Sequence, residues 1–366
     1  MKYQIKIELI GACINKDMPP HMNWFTLHIS GVPRSVMVEF NRHRSISTSQ
    51  ESSRYTLKKH LKGKAEELHE ATDEDSIWGK YLWLVEDRHI DEDAHEALGA
   101  LVYHIEHGKS NDDVKTLIPE GLLYKGVYTM TLEAWEHLYS LRSGKEVYGP
   151  FRDLVESIKE KLESTQLGAV NNPMMIAHSH VYSSSHACRT CWDSVDKHDH
   201  GEKDLELIKR VGVKFKHRSV IEHLIIRTNN VDMGFHGELV HNRHYRKYID
   251  ECTHDGNTVL LINMRTVLEC LEDKNFTNKK ELLDVVPNDY KFLVEDLSEP
   301  AEEVYLSREV LDSALEWFQD EATDVEVKKV GTNDGFDYET LAIVAGDELL
   351  IEISKNEIEY RAELME

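Results

Sequence analysis

Cysteine is scarce in this chain. Five residues, Cys13, Cys188, Cys191, Cys252 and Cys270, are scattered through 366 positions, too few for a disulfide framework. No apolar run approaches the length that spans a bilayer, and the N-terminus lacks the basic-then-apolar layout of a secretory signal. A cytoplasmic protein with no membrane partner is therefore expected. Basic residues are outnumbered, with 43 Lys and Arg against 67 Asp and Glu, for a formal net charge of −24. Such a surface repels nucleic acid, and no aromatic residues interleave with the basic cluster that does exist. Nucleic acid is excluded as a partner on these grounds. A small anionic ligand remains possible, but only in a locally basic pocket.

What is present points to such a pocket. Residues 42–55, Arg-His-Arg-Ser-Ile-Ser-Thr-Ser-Gln-Glu-Ser-Ser-Arg-Tyr, set three arginines and a histidine among serines and a threonine. No hydrophobic period runs through them, so a loop is expected. Arginine offers a planar, permanently charged fork that matches phosphate oxygens, and serines add short neutral donors.

The length suggests two or three domains, and 40% hydrophobic residues suffice for a sizeable core. Alternation predicts strands over 3–9, 24–30 and 34–40, with Gly31-Val32-Pro33 as a turn, so that the arginine-rich loop leaves a strand. Leu98, Leu101, Val102 and Ile105 predict a helix stopped at Gly108. Further helices are expected over 112–118, 132–142 and from Gly149-Pro150, where Phe151, Leu154, Val155, Ile158 and Leu162 hold core spacing. Residues 164–174 read as a linker. A second unit then shows a helix near 203–210, a strand near 222–227 and a helix near 258–272. Towards the C-terminus, Ser307 caps an expected helix, and 341–344 with 348–353 predict a hairpin.

The 42–55 segment resembles the signature of the flavin-dependent thymidylate synthases: Arg42-His43-Arg44, seven residues, Ser52, any residue, then Arg54-Tyr55. The resemblance implies an α+β fold, a mixed sheet packed with helices. It also implies FAD as cofactor, NADPH and methylenetetrahydrofolate as co-substrates, and dUMP as the small-molecule nucleotide that is methylated to dTMP. Carried over residue by residue, Ser52, Arg54 and Lys115 would hold the nucleotide phosphate. Lys115 stands where the family usually has Arg. Gln50 and Arg42 would lie between nucleotide and flavin, and Arg142 would contact the uracil ring as the catalytic residue. Flavin contacts fall to Arg42, His43, Arg44 and His137.

A second set of matches lies downstream. His217-Arg218-Ser219-Val220-Ile221-Glu222-His223 is similar to the family's His-x-Ser/Thr-Pro-x-Glu-His segment, with Val220 in place of Pro. Residues 241–246 resemble a degraded Arg-His-Arg, and 262–268 resemble the family's Asn-x-Arg-Ser-Leu element. Flavin contacts at His217, Ser219, Glu222, Asn263 and Arg265 follow from the resemblance. The first copy has lost the Glu-His pair at Pro19-Pro20-His21-Met22-Asn23 and carries Thr131 where the flavin-contacting Asn belongs. The complementary losses imply a tandem duplication with divided labour. A first synthase-like unit, 1–165, would keep the nucleotide half-site, and a shortened second unit, 172–290, the flavin half-site. Residues 291–366 form a small α/β extension of no assigned role. A homodimer of such chains would rebuild a pseudo-tetramer.

Glu39, three residues before Arg42, stands where the family commonly has Gln. A carboxylate accepts from a cytosine amino group but meets a uracil carbonyl badly. Hydroxymethylation of dUMP or dCMP is therefore the first alternative, and a non-catalytic nucleotide- or flavin-binding pseudo-enzyme the second. Cys188-x-x-Cys191, with His178, His180, His186, His198 and His200 nearby, has zinc-like spacing but no second cysteine pair, and no metal is expected there.

Overall fold

The computed structural model describes residues 5–43, 45–69, 78–85, 87–165, 173–199, 201–229, 233–241, 249–254, 256–295 and four short strands between 325 and 362. Met1–Glu295 forms one compact unit and Asp296–Glu366 another, so the boundary expected near 165–172 falls inside a single compact unit.

The larger unit begins with β1 (Lys6–Cys13), β2 (Trp24–Pro33), α1 (Arg34–Phe40), β3 (Ile46–Gln50) and α2 (Ser53–Leu61). Four helices follow: α3 (Ala65–His69), α4 (Trp78–Tyr81), α5 (Arg88–Glu106) and α6 (Asn111–Val114). Then come β4 (Leu123–Thr131), α7 (Leu132–Arg142), α8 (Gly149–Ser164), α9 (Pro173–Cys191) and α10 (Glu202–Ile208). A 3-10 turn, Arg218–His223, leads to β5 (Ile225–Asn229), α11 (Met233–His241), β6 (Ile249–His254), β7 (Asn257–Asn263), α12 (Met264–Glu272) and α13 (Lys279–Asp284). The architecture is α+β.

Several sequence expectations are corrected. Residues 34–40 are a helix, because Val36, Met37 and Phe40 are buried at helical spacing while Val38 is 44% exposed, which breaks the alternation a strand needs. Gly31-Val32-Pro33 is no turn: Gly31 takes φ +76° at a bulge, and β2 runs on to Pro33. The arginine-rich segment therefore follows a helix, and most of its length is β3 and α2 rather than loop. Finally, 258–263 belongs to β7, with the helix starting only at Met264, and Glu222 lies in the 3-10 turn rather than in a strand. The helix near Gly108 matches its expectation: Leu98, Leu101, Val102 and Ile105 are buried, and Gly108 ends it at φ +85°. So do α7 and α8, the latter with Phe151, Leu154, Val155 and Ile158 fully buried. Each such side chain contributes about 1.5–3 kcal/mol of burial.

The first sheet is antiparallel, in the order β1-β2-β4-β3. Phe25, Leu27 and Ile29 of β2 face the main core with α1, α5 and α8. The alternate residues, Thr26 and His28, face the other way, the side on which α9 and the 3-10 turn cover the sheet. β4, absent from the sequence expectations, is the strand that joins β2 to β3.

The second sheet, β5-β7-β6, repeats the order β2-β4-β3. The likeness extends to detail. Trp24 pairs with Thr131, and Ile225 pairs with Asn263. The Leu132 amide donates to the Asn23 carbonyl at 2.8 Å, and the Met264 amide to the Leu224 carbonyl at 2.9 Å. Thr131 caps α7 as Asn263 caps α12. Cys13, Met22 and Trp24 pack with Val259 and Leu261, joining the two sheets through a small apolar cluster.

In the C-terminal unit, β8 (Val325–Val330), β9 (Thr340–Ala345), β10 (Glu348–Ser354) and β11 (Arg361–Ala362) form an antiparallel sheet, and β9–β10 is the expected hairpin. The helix expected after Ser307 lies outside the described residues. No helix among the described residues is long and apolar enough to cross a membrane.

Candidate active site

Arg142 is the last residue of α7. Trp135 and Leu138 anchor that helix in the core, so its C-terminal end is fixed in place. The guanidinium carbon lies 4.9 Å from the centre of the Phe151 ring, a cation–π contact. Its Nη1 stands 3.6 Å from the Glu39 carboxylate at the end of α1. Its Nε is buried and finds no hydrogen-bond partner among the described residues, and the same is true of His43 Nε2. Burial holds His43 below the usual histidine range, and Arg142 and His137 push it further, against a weaker pull from Glu39. The imidazole is thus neutral beside a permanent cation. His137 itself is exposed on α7, and the side chain of Arg42 is exposed where α1 ends. Arg44 lies outside the described residues.

Gln50 closes β3. Its side-chain amide donates to the Tyr128 hydroxyl at 2.8 Å and to the Met37 carbonyl at 3.2 Å, and Asn41 donates back to it at 3.1 Å. It ties the exit of α1 to the sheet. Ser52 sits at the N-cap position of α2; its carbonyl accepts from Thr56, and its amide donates to the Cys191 carbonyl at the end of α9. Arg54 pairs with Asp112 at 3.1 Å on the surface, and Lys115 is exposed on the 3-10 turn Lys115–Leu117 that follows α6. Arg142, Glu39, His43 and His137 are thus brought together, while Arg54 is held to α6.

The second set of predicted residues reaches the first through β3. Glu222 is buried, and burial raises its carboxyl above the ordinary range even though Arg265 and Ser47 of β3 hydrogen-bond it. Arg265 bonds Glu222 through Nη1 at 2.5 Å and Glu269 through Nε at 2.6 Å. Burial disfavours its charge, but the two carboxylates win and raise its pKa. Asn263 is buried as the cap of α12, its Oδ1 accepting from the Thr266 amide at 3.0 Å. Ser219 is half-buried in the 3-10 turn, and His217 is exposed just before it, its ring 6.2 Å from that of Trp192. Residues 242–248, with most of the degraded Arg-His-Arg, lie outside the described residues.

Three participants escaped the sequence reading of roles. His223 is fully enclosed; its ring nitrogens meet the Thr129 hydroxyl at 2.8 Å and the Ser49 hydroxyl at 3.0 Å, and burial pushes its pKa down to about 3. Its place in the Glu-His pair was visible, but its partners on β3 and β4 were not. Glu269 was findable as the i+4 neighbour of Arg265 on a helix. Phe151 was read as core, and it is, but it also floors the Arg142 guanidinium. Burial pushes the Cys188 thiol well above the ordinary range and that of Cys191 to about 12.

The donor set fits a flat, anionic ligand. A buried guanidinium Nε and a buried imidazole Nε2 lack hydrogen-bond partners among the described residues, an aromatic ring lies beside them, and exposed Arg42 immediately precedes His43.

The first half of the larger unit is similar to known proteins. Residues 15–165 match the family model described as thymidylate synthase complementing protein. A flavin-dependent thymidylate synthase of Helicobacter pylori (strain J99) is 30% identical over 141 residues, covering 38% of this chain and 67% of that protein. The enzyme of the same name from Campylobacter jejuni (strain RM1221) is 57% identical over 51 residues, 14% of this chain and 25% of the relative, and that from Wolinella succinogenes is 52% identical over 52 residues. The chain thus spans only about a quarter of the length of the Campylobacter and Wolinella relatives, 25% and 26%. Among solved structures, Thymidylate Synthase X from Helicobacter pylori with FAD and dUMP is 23% identical, with a TM-score of 0.35 over 43% of this chain and 74% of that one. The chain belongs to the flavin-dependent thymidylate synthase family.

Proposed function

We propose that this protein methylates dUMP to dTMP reductively, with FAD as cofactor and NADPH and methylenetetrahydrofolate as co-substrates. The observation that carries the reading is the Arg142 guanidinium, held over Phe151 with a buried Nε that has no hydrogen-bond partner among the described residues, next to the neutral His43. A guanidinium beside a uracil ring stabilises negative charge at N3 and makes carbon 5 a better nucleophile. The bound flavin would supply the hydride. Arg42 and His43 are the residues of the first motif that would hold flavin and nucleotide side by side. Arg142 serves as the ring-side cation, and no enzyme nucleophile is required.

Divided labour between two copies is part of the proposal. Its supports are the repeated strand order, the matched caps Thr131 and Asn263, and the seating of Glu222 and His223 against Ser47 and Ser49 of the motif strand. In this reading one chain supplies the contacts that separate subunits supply elsewhere, and a homodimer forms the pseudo-tetramer.

Glu39 favours one second reading. A carboxylate 3.6 Å from Arg142 is a possible acceptor for a cytosine amino group, so dCMP, or a hydroxymethylated product, is the alternative. The test is to incubate the protein with dUMP and separately with dCMP, plus FAD, NADPH and methylenetetrahydrofolate, and to weigh the nucleotides. A methyl gain on dUMP supports the proposal. A hydroxymethyl gain, or reaction of dCMP, replaces it with the alternative. No gain with flavin bound leaves a pseudo-enzyme.

A further inference from the structure

We propose that Glu8, His28 and His186 form a binding site for one divalent transition-metal ion of zinc type, which pins α9 to the first sheet. Glu8 on β1 and His28 on β2 are direct register partners and lie on the face that α9 covers. His186 comes from α9, more than 150 residues further along the chain. One potential ligand atom from each residue lies within 4.8 Å of the other two.

The spacing of the Glu8–His28 pair, within ion-pair range, also suits two ligands of one ion. His28 Nδ1 stands 3.6 Å from the Glu8 carboxylate, longer than a good hydrogen bond. Two ligands each about 2.1 Å from a tetrahedral ion are about 3.4 Å apart. The other nitrogen of His28, Nε2, is buried without a hydrogen-bond partner among the described residues. The His28 and His186 rings lie 4.5 Å apart but tilted by 58°, not stacked face to face. Two imidazoles and a carboxylate are a common donor set for zinc, which leaves a position for water.

Behind His186 lies a buried polar cluster that holds the ring's surroundings in place. The His198 ring is 5.0 Å from that of His186. Its Nδ1 is 3.1 Å from the buried Asp204 carboxylate, which Arg189 also binds at 2.7 Å. Glu8 is largely exposed at the edge strand, so an ion can enter from solvent. The ion would be structural: it would clamp α9 across the sheet face that carries the Thr26–Thr129–His223–Ser49 chain of hydrogen bonds.

The test uses the full-length, tag-free protein stripped with a chelator and titrated with Co(II), whose visible absorption reports four-coordinate nitrogen and oxygen ligation. One ion per chain and a rise in melting temperature are expected. Glu8→Gln alters an exposed position and should leave the metal-free melting temperature unchanged while weakening Co(II) binding at least tenfold. His28→Gln should do the same or worse to binding, and if it fails to fold, the Glu8 variant decides alone. Cys191→Ser should bind as the parent does. Failure to bind any ion, or unchanged affinity in Glu8→Gln, would overturn the proposal.

Discussion

Arg142 and Glu39 form an ion pair at 3.6 Å in the candidate active site, with the Phe151 ring centre 4.9 Å from the guanidinium carbon. The pair joins the proposed catalytic cation to the position where the family commonly has Gln. Both side chains keep about a third of their exposure, 29% and 33%, so the pair adds little to stability. Its effect is on the field of Arg142: a carboxylate draws off part of the charge meant for the pyrimidine. In the proposed reaction Glu39→Gln should raise kcat on dUMP about three- to tenfold, equivalent to about 0.7–1.4 kcal/mol. Arg142→Ala should lower it about 10²- to 10³-fold, the usual loss for one charge-stabilising donor. Steady-state rates of both variants, with circular dichroism to confirm folding, check this.

His223 makes stability depend on pH. Burial sets its folded pKa at about 3, against about 6.5 in an unfolded chain. The unfolded state therefore binds a proton that the folded state refuses. The stability from this residue is full above about pH 6.5 and is lost as pH falls, by about 1.4 kcal/mol per pH unit until the folded pKa is reached. Denaturant unfolding at pH 7.5, 6.5, 5.5 and 4.5 should show this slope. His223→Gln, which can still bond Ser49 and Thr129, should lose one proton's worth of it.

The helices α7 and α8 and the hairpin β9–β10 were legible in the sequence, because each writes its own signal: a 3.6-residue apolar period, Pro at the start, or a short turn between apolar runs. The errors come from neighbours. Residues 34–40 alternate well enough to pass for a strand, and only the tertiary fact that Val38 faces solvent decides for helix. β3 looks like a loop because both its faces are hydroxylated. Ser47 and Ser49 serve Glu222 and His223 rather than a hydrophobic core, so no apolar period exists to be read. The site followed the same rule. Arg142 was readable from the motif, while its platform Phe151 and the partners of His223 are meetings of distant segments.

Asn263 has two candidate roles, cap and flavin contact, and the structure supplies a way to separate them. Its Oδ1 accepts from the Thr266 amide and hydroxyl. Asn263→Ala removes a buried cap and should cost about 1–2 kcal/mol of stability. Asn263→Asp retains the acceptor and should restore most of the loss, but it lacks the amide donor. Thermal unfolding and FAD titration of both variants give the answer: a stable Asp variant with weakened FAD binding assigns the amide to flavin, whereas unchanged binding leaves Asn263 a cap alone.

Arg265 stands between two carboxylates, and its removal should be felt more as pH rises. In the native protein, burial already raises Glu222, and Arg265 pulls it back down. Without the guanidinium, Glu222 must carry an uncompensated charge or take up a proton. Its folded pKa then rises further above the unfolded value of about 4.3. A raised carboxyl contributes stability that is present at low pH and lost as pH climbs through the folded pKa. Arg265→Leu should therefore cost about 3 kcal/mol at pH 7.5, as breaking a buried pair does, and distinctly less at pH 5. Adding Glu222→Gln to that variant should recover part of the loss at pH 7.5 and flatten the pH dependence, because the group that needed the cation has gone. The double-mutant cycle isolates this coupling. FAD titration of the same four proteins completes the assignment. If stability returns in the double variant while flavin affinity does not, Arg265 contacts the cofactor in its own right; if both return together, it acts only by holding Glu222.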